Sequence, residues 1–231
     1  MRNLYISDSH FHHDNIIMYD NRPFSDVYQM NQKMVDNWNA VVTDEDIVYV
    51  LGDFSWGKYE EWIDIIRKLN GKIYFIKGNH DKESYLDKLL QDRRVKDKVL
   101  GWDHYKEISD CGRMVCMSHY FIQSHNGMFR GSTLLYGHVH ASYDYKICLK
   151  IKQLTEALYC RNLTSFNVGA MMPYISYTPR TLDEIVAGYQ HLKLQELEFT
   201  RLSGIKNVDV ELFKLENEGG KNAPEETSVQ D

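Results

Sequence analysis

The sequence predicts an α/β fold, and three observations carry the prediction. Apolar runs at 3–7, 46–53 and 72–81 alternate with stretches of helical periodicity at 26–42 and 58–69, the pattern of a parallel sheet whose strands are joined by helices. Each run stops on Asp or on a Gly-led polar group rather than fading into a long loop. From about residue 105 the pattern changes to strand-like segments, "YKEIS", "RMVCMSHY" and "TLLYGHVH", separated by short turns such as "DCG". That half is expected to form hairpins or a second sheet with fewer helices.

The elements follow in chain order. "NLYIS" (3–7) is a first core strand ending at Asp8. In 26–42, Met30, Met34, Val35, Trp38 and Val41 recur at helical spacing behind the candidate N-cap Ser25. "DIVYVLGD" (46–53) is a second buried strand, "KYEEWIDIIRKL" (58–69) an amphipathic helix with Gly71 just beyond it, and "KIYFIKGNHD" (72–81) a third strand. "SFNVGAMM" (165–172) is a further strand-to-loop passage, and "TLDEIVAGYQHLKL" (181–194) a surface helix with Thr181 and Glu184 as a capping box. The stretch 143–160 mixes strand and helix signals and is left unassigned. The reading is one domain over 1–200 and a C-terminal extension over 201–231, polar from about 216.

Length and composition narrow the function. The 231 residues suffice for one well-buried domain, and 43% hydrophobic with 26% charged residues is ordinary for a globular chain. The N-terminus meets acidic and histidine residues too soon for a secretory signal, and no apolar run approaches the roughly 20 residues of a membrane span. A cytoplasmic location is the expectation, with Cys111, Cys116, Cys148 and Cys160 reduced, since they form no CxxC pair. A net charge of −6 argues against a basic face for stable duplex nucleic acid. Two divalent cations at one spot would still draw in an anionic substrate.

The predicted strands end on residues of metal-ligand type. The first gives Asp8 and His10, the second Asp53, and the third Asn79, His80 and Asp81; later segments give His119 and the pair His138 and His140. In open α/β sheets, sites lie beyond the carboxyl ends of the strands, so residues distant in sequence converge there. Oxygen and imidazole donors without thiolates suit Mn, Fe or Zn. Seven candidate ligands, Asp8, His10, Asp53, Asn79, His119, His138 and His140, fill two four-ligand positions only if one is shared. Asp53, a carboxylate with two acceptor oxygens on the middle strand, is the natural bridge. Two cations about 3.5–4 Å apart would clamp a phosphate and lower the pKa of a water between them.

In family order, Asp8-Ser9-His10, Gly52-Asp53, Gly78-Asn79-His80-Asp81, His119 and Gly137-His138-Val139-His140 resemble the motifs of the calcineurin-like metallophosphoesterases, over roughly residues 1 to 190. Within that family the chain is similar to a subgroup of small bacterial and phage enzymes. The resemblance implies two facing mixed β-sheets flanked by helices in a four-layer sandwich. It implies a first metal on Asp8, His10 and His140, a second on Asn79, His119 and His138, and Asp53 between them. Mn is the favoured ion, with Fe, Zn and Ni as alternatives. His80 would stand near the leaving oxygen as general acid or phosphate stabiliser, with Asp81 orienting it.

Other residues are weighed beside these. His13 could reach the substrate or be a loop histidine, and Arg22 in "NRPF" could fork onto a phosphate oxygen or lie on the surface. Asn167 is read as a turn asparagine, with support of His140 or its loop as the alternative. His125 and Arg130 lie in a glycine-bearing loop that could face a substrate. The residues after Asp53, "FSWGKYEEW", lack the DRG run of the Ser/Thr protein phosphatase branch. The expected activity is hydrolysis of a small, nucleotide-like phosphodiester by in-line attack. The alternatives are a nuclease on short or single-stranded nucleic acid and a catalytically silent metal-binding scaffold.

Overall fold

The structure is a computed structural model that describes residues 1–203. The elements run β1 (Asn3–Ile6), α1 (Asp14–Tyr19), α2 (Val27–Val41), β2 (Ile47–Val50), α3 (Tyr59–Lys68), β3 (Lys72–Ile76), α4 (Glu83–Leu89) and β4 (Val99–Asp103). The second half adds β5 (Tyr105–Asp110), β6 (Arg113–Ser118), a 3-10 turn at Met128–Arg130, β7 (Thr133–Tyr136), α5 (Tyr143–Tyr159), β8 (Thr164–Asn167) and α6 (Leu182–Ser203). They build two four-stranded sheets, ordered β1-β2-β3-β4 and β5-β6-β7-β8, with helices flanking them. One compact unit spans Met1–Leu192; a second, Lys193–Asp231, is described only where α6 runs to Ser203. The polar tail expected from about 216 lies outside the described residues.

All pairings in the first sheet are parallel, so β1, β2 and β3 deliver their carboxyl ends to one side. Their residues are nearly all buried: Leu4, Tyr5, Ile6, Val48, Val50, Ile73, Phe75 and Ile76 are in the core. A sheet covered on both faces needs such continuous apolar runs. The helices bury one stripe each, with Met30, Met34, Val35 and Trp38 from α2 and Trp62, Ile63, Ile65 and Ile66 from α3.

In the second sheet, a single hairpin joins β5 and β6 at the "DCG" turn; β6–β7 and β7–β8 are parallel. Of the two expectations, hairpins or a second sheet with fewer helices, the second sheet forms, and one of its three pairings is a hairpin. The crossover between β7 and β8 is α5, the stretch left unassigned. It buries Tyr145, Cys148 and Thr155 while Ile147, Leu154, Leu158 and Tyr159 stay exposed, which is why its periodicity was ambiguous. The two sheets meet where their edge strands run on. Ser7 N–H donates to the Val168 carbonyl at 2.8 Å, Ala170 N–H donates to the Ser7 carbonyl at 2.8 Å, and the Tyr5 hydroxyl donates to Asp110 at 2.7 Å. The seam brings the ends of β1 and β8 together.

Two caps test the local reading. The α2 cap is Asp26, whose carboxylate accepts Gln29 N–H at 2.8 Å; Ser25 instead donates its own N–H to the Gln29 side chain at 2.7 Å. The box at α6 forms as expected, with Thr181 N–H donating to Glu184 at 2.8 Å and Glu184 N–H returning to Thr181 Oγ1 at 3.4 Å. All four cysteines are free. Among the described residues no helix is long and apolar enough to cross a membrane.

Candidate metal centre

Every candidate ligand leaves the carboxyl end of a parallel strand. Asp8 and His10 follow β1, Asp53 follows β2, Asn79 follows β3, His119 follows β6, and His138 and His140 follow β7. The chain must turn sharply to aim them inward. Asp8, His10, Asp53, His138 and His140 all have left-handed φ, between 46° and 67°. Asp and His tolerate that region better than most residues, yet each such position costs on the order of 1–3 kcal/mol. Five strained candidate ligands in one cluster are kept there by a surrounding network of hydrogen bonds.

Two three-residue groups result, Asp8–His10–His140 and Asp53–His119–His138, the ligand atoms of each lying within 4.8 Å of one another. His10 Nε2 is 3.3 Å from His140 Nε2, and His140 Nε2 is 3.7 Å from Asp8 Oδ1. On the other side, His119 Nε2 lies 2.9 Å from Asn79 Oδ1 and 3.5 Å from Asp53 Oδ2. Asp53 spans both groups. Its Oδ1 accepts His80 N–H at 3.0 Å, while Oδ2 faces His119 and also His10 Nε2 at 3.8 Å.

This donor set fits divalent cations. The Leu51 carbonyl, 2.8 Å from His119 Nδ1, fixes that nitrogen as the N–H. The Nε2 lone pair is then left pointing at two oxygen acceptors. The Asp20 carboxylate, 2.7 Å from His140 Nδ1, does the same for His140, whose Nε2 faces His10 and Asp8. Lone pairs converging with no proton between them are an arrangement that a cation satisfies. In the protein alone a proton fills the part. Burial opposes charge on His119, but Asp53 and Asp8 hold the imidazole up at about 9. His10, deeply buried and beside His140, is pushed well below the usual histidine range. Asp53 is driven below the usual carboxylate range, its burial outweighed by His119, His10 and the His80 amide.

Two glycines of the motifs are explained by close approach. A Cβ on Gly78 would run into the Asp53 carboxylate, and one on Gly137 would run into Ser7 Oγ and lie 2.5 Å from Asp8 Oδ2. Both carboxylates of the centre thus lie against backbone that a side chain would displace.

Two supporting residues behave differently from expectation. Asp81 is fully buried, and its carboxylate accepts the N–H groups of Asp53 at 2.9 Å, Phe54 at 3.0 Å and Gly78 at 2.9 Å. It ties two strand-end loops together and makes no bond to the His80 ring, which corrects its expected role. Burial and the neighbouring Asp53 charge push its acid up to about 6, against the pull of the amides. Arg22, read as a phosphate clamp or a surface arginine, is neither exposed nor free: it is buried, and its guanidinium donates to the Ser9 and Asp8 carbonyls at 2.9 Å each and to Asp20 at 2.8 Å. With its donors spent on the loop that carries the candidate ligands Asp8 and His10, it holds that loop. Arg22→Ala is therefore expected to weaken metal binding about 10- to 100-fold, measured by metal titration, whereas loss of a phosphate clamp would alter KM or kcat and leave metal affinity unchanged.

Asn167 combines its two readings. Its side-chain N–H donates to the His140 carbonyl at 2.8 Å and its oxygen accepts Gly169 N–H at 2.9 Å. His13 stands at the site, its ring 5.4 Å from that of His10 and stacked on Trp56 at 4.2 Å. His125 and Arg130 line a separate cavity with Gln123 and Tyr159. Asp20, which orients His140 and pairs with Arg22, escaped the sequence reading. Its only signal was its place two residues before Arg22.

The fold and site define a two-sheet α/β protein with paired candidate metal positions at its strand ends. The model of the calcineurin-like phosphoesterase family matches residues 1–139, and the chain belongs to that family. An uncharacterized protein of Methanocaldococcus jannaschii is 36% identical over 189 residues, 80% of this chain and 90% of that one. The crystal structure of a protein of unknown function from Aquifex aeolicus matches with a TM-score of 0.58 and 25% identity, covering 80% of this chain and 97% of the other. The structure of an archaeal phosphodiesterase matches at a TM-score of 0.40 and 20% identity, over 61% and 74% of the two chains, too distant to bear on function.

Proposed function

We propose that the chain is a two-metal phosphoesterase that hydrolyses a phosphodiester. The observation that carries this reading is the position of Asp53 Oδ2, within 4.0 Å of imidazole nitrogens from His10, His119 and His80. One oxygen is thereby shared between both ligand groups and the histidine expected to act on substrate. Bound there, two divalent cations supply positive charge for the phosphoryl oxygens and acidify an attacking water. We assign Asp8, His10 and His140 to one cation, Asn79, His119 and His138 to the other, and Asp53 to both.

His80 is the residue left for the substrate. Its side chain is 42% exposed and its ring nitrogen stands 4.0 Å from Asp53 Oδ2. Its backbone is fixed by the bond from His80 N–H to Asp53 Oδ1. An imidazole at that place donates a hydrogen bond to a phosphoryl oxygen or a proton to the departing one. The absence of the DRG run after Asp53 favours a diester over a protein phosphate.

The test is hydrolysis of bis(p-nitrophenyl) phosphate and p-nitrophenyl phosphate by metal-stripped protein, before and after adding Mn²⁺, Fe²⁺, Ni²⁺ or Zn²⁺. Turnover of the diester that appears with metal and exceeds that of the monoester supports the reading. Two metals bound per chain with no turnover of either compound would return the protein to the class of metal-binding scaffolds.

A further inference from the structure

Among the described residues Tyr177 is the only Tyr, Phe or Trp with a left-handed backbone, at φ 55°, and the exposed Ser176 before it stands at 49°. A bulky side chain in that region is an outlier that its surroundings must hold in place. Tyr177 N–H donates to the Ala170 carbonyl at 2.8 Å and Ser176 N–H to the Met172 carbonyl at 2.8 Å. The Asn37 side chain donates to the Tyr177 carbonyl at 3.4 Å. Ala170 N–H in turn donates to the Ser7 carbonyl, so the turn is pinned to the seam between β1 and β8.

The strained turn sets an aromatic ring against Arg22. The guanidinium carbon lies over the Tyr177 ring, 5.7 Å from its centroid, and Phe24 meets that ring edge-on at 4.9 Å and 71°. Arg22 spends its N–H groups on the Ser9 and Asp8 carbonyls and on Asp20. Such bonds lie in the guanidinium plane and leave its faces free, and an aromatic ring is a favourable cover for the face of a desolvated cation. Asp20 gives one carboxylate oxygen to Arg22 at 2.8 Å and the other to His140 Nδ1 at 2.7 Å. Ring, guanidinium, carboxylate and imidazole thus form one line of contacts. It ends at His140 Nε2, the atom that faces His10 and Asp8. Tyr177 and His140 come from the second half of the chain, Arg22 and Asp20 from the first, so the line stitches the two halves together at the centre.

We propose that Tyr177 is a positioning residue for the candidate metal position Asp8–His10–His140, acting through Arg22 and Asp20. The proposal rests on the metal reading, which assigns a cation to those three residues. The Arg22 side chain is fully buried, with the Tyr177 ring as part of its cover. Arg22 then keeps Asp20 in one place, and Asp20 keeps the His140 imidazole turned so that Nε2 faces Asp8 and His10. Asn79, His119 and His138, at the second position, make no hydrogen bond to Tyr177, Arg22 or Asp20. The effect of Tyr177 therefore falls on one position of the two.

Titration of the full-length, chelator-stripped protein with Mn²⁺, followed by calorimetry and by electron paramagnetic resonance, tests this. The unaltered protein should take up two ions and show the exchange-coupled signal of a close pair. Tyr177→Asn removes the ring and suits the left-handed turn. It should weaken one of the two ions by roughly 2- to 30-fold, so that the coupled signal needs more Mn²⁺ to appear. Tyr177→Phe keeps the ring and should match the unaltered protein. In an Arg22→Ala background Tyr177→Asn should add nothing, because the contact it removes is already gone. Tyr177→Leu serves the same comparisons where Tyr177→Asn does not fold. Unchanged binding in the variant without the ring, equal weakening of both ions, or a loss in Tyr177→Phe as large as in Tyr177→Asn overturns the proposal. So does a loss that adds in full to that of Arg22→Ala. An unaltered protein that takes up fewer than two ions would instead strike the metal reading, so the two failures are told apart.

Discussion

Asp53→Asn is expected to lower metal-dependent diester turnover by about 10²- to 10³-fold or more and to reduce the metal content from two ions per chain. Three geometric facts lead there. Asp53 Oδ2 lies within 4 Å of imidazoles from both groups. Its Oδ1 is already committed to the His80 amide. The carboxylate carries the charge that offsets crowding among His10, His119 and His80. An amide keeps the shape, removes the charge, and places either an oxygen or an NH₂ at the shared position. The NH₂ would donate to imidazole nitrogens whose lone pairs a cation needs. Metal analysis of dialysed protein beside steady-state kinetics checks both halves. Full occupancy with unchanged kcat would show that the two groups act without a shared carboxylate.

The order of ligand-bearing strands was legible because parallel strands end on the same side. A run of apolar residues closed by Asp8, Gly52-Asp53 or Gly78-Asn79 states both the strand and the face on which it ends. The supports around the ligands were not legible, since each is set by a contact distant in sequence. The resemblance assigned Asp81 to the His80 ring; folding turns its carboxylate to three backbone amides instead. Arg22 carries the chemistry of a phosphate clamp, yet burial gives its fork to two carbonyls and Asp20. In the fold, β4 went unread because Gly101 breaks "VLGWD". The short helices α1 and α4 hold too few turns to show a period. In the second sheet β6–β7 and β7–β8 are parallel beside the one hairpin, a choice left open in the sequence because a strand-like segment carries no sign of its direction until the crossover, here α5, is recognised.

Asp81→Ala is expected to cost about 3–5 kcal/mol of stability and to lose metal, while His80→Ala keeps both the fold and the metal and loses turnover. Removing the Asp81 carboxylate strands three amide donors, those of Asp53, Phe54 and Gly78, in an environment where Asp81 itself is buried. Each unsatisfied buried donor costs about 1–3 kcal/mol, less whatever water can recover. Asp53 N–H is among them, so the loop carrying the shared carboxylate loosens with it. Asp81→Asn should fall between, because its amide oxygen can still serve some of the three donors. Urea unfolding in the presence of chelator isolates the stability effect from that of metal. Metal titration and kinetics of folded protein then compare the two neighbours. An Asp81 that served only to orient His80 would give a variant with full metal content and kinetics like those of His80→Ala. The three backbone bonds predict the opposite order, with Asp81 limiting the assembly of the centre and His80 limiting what the assembled centre does.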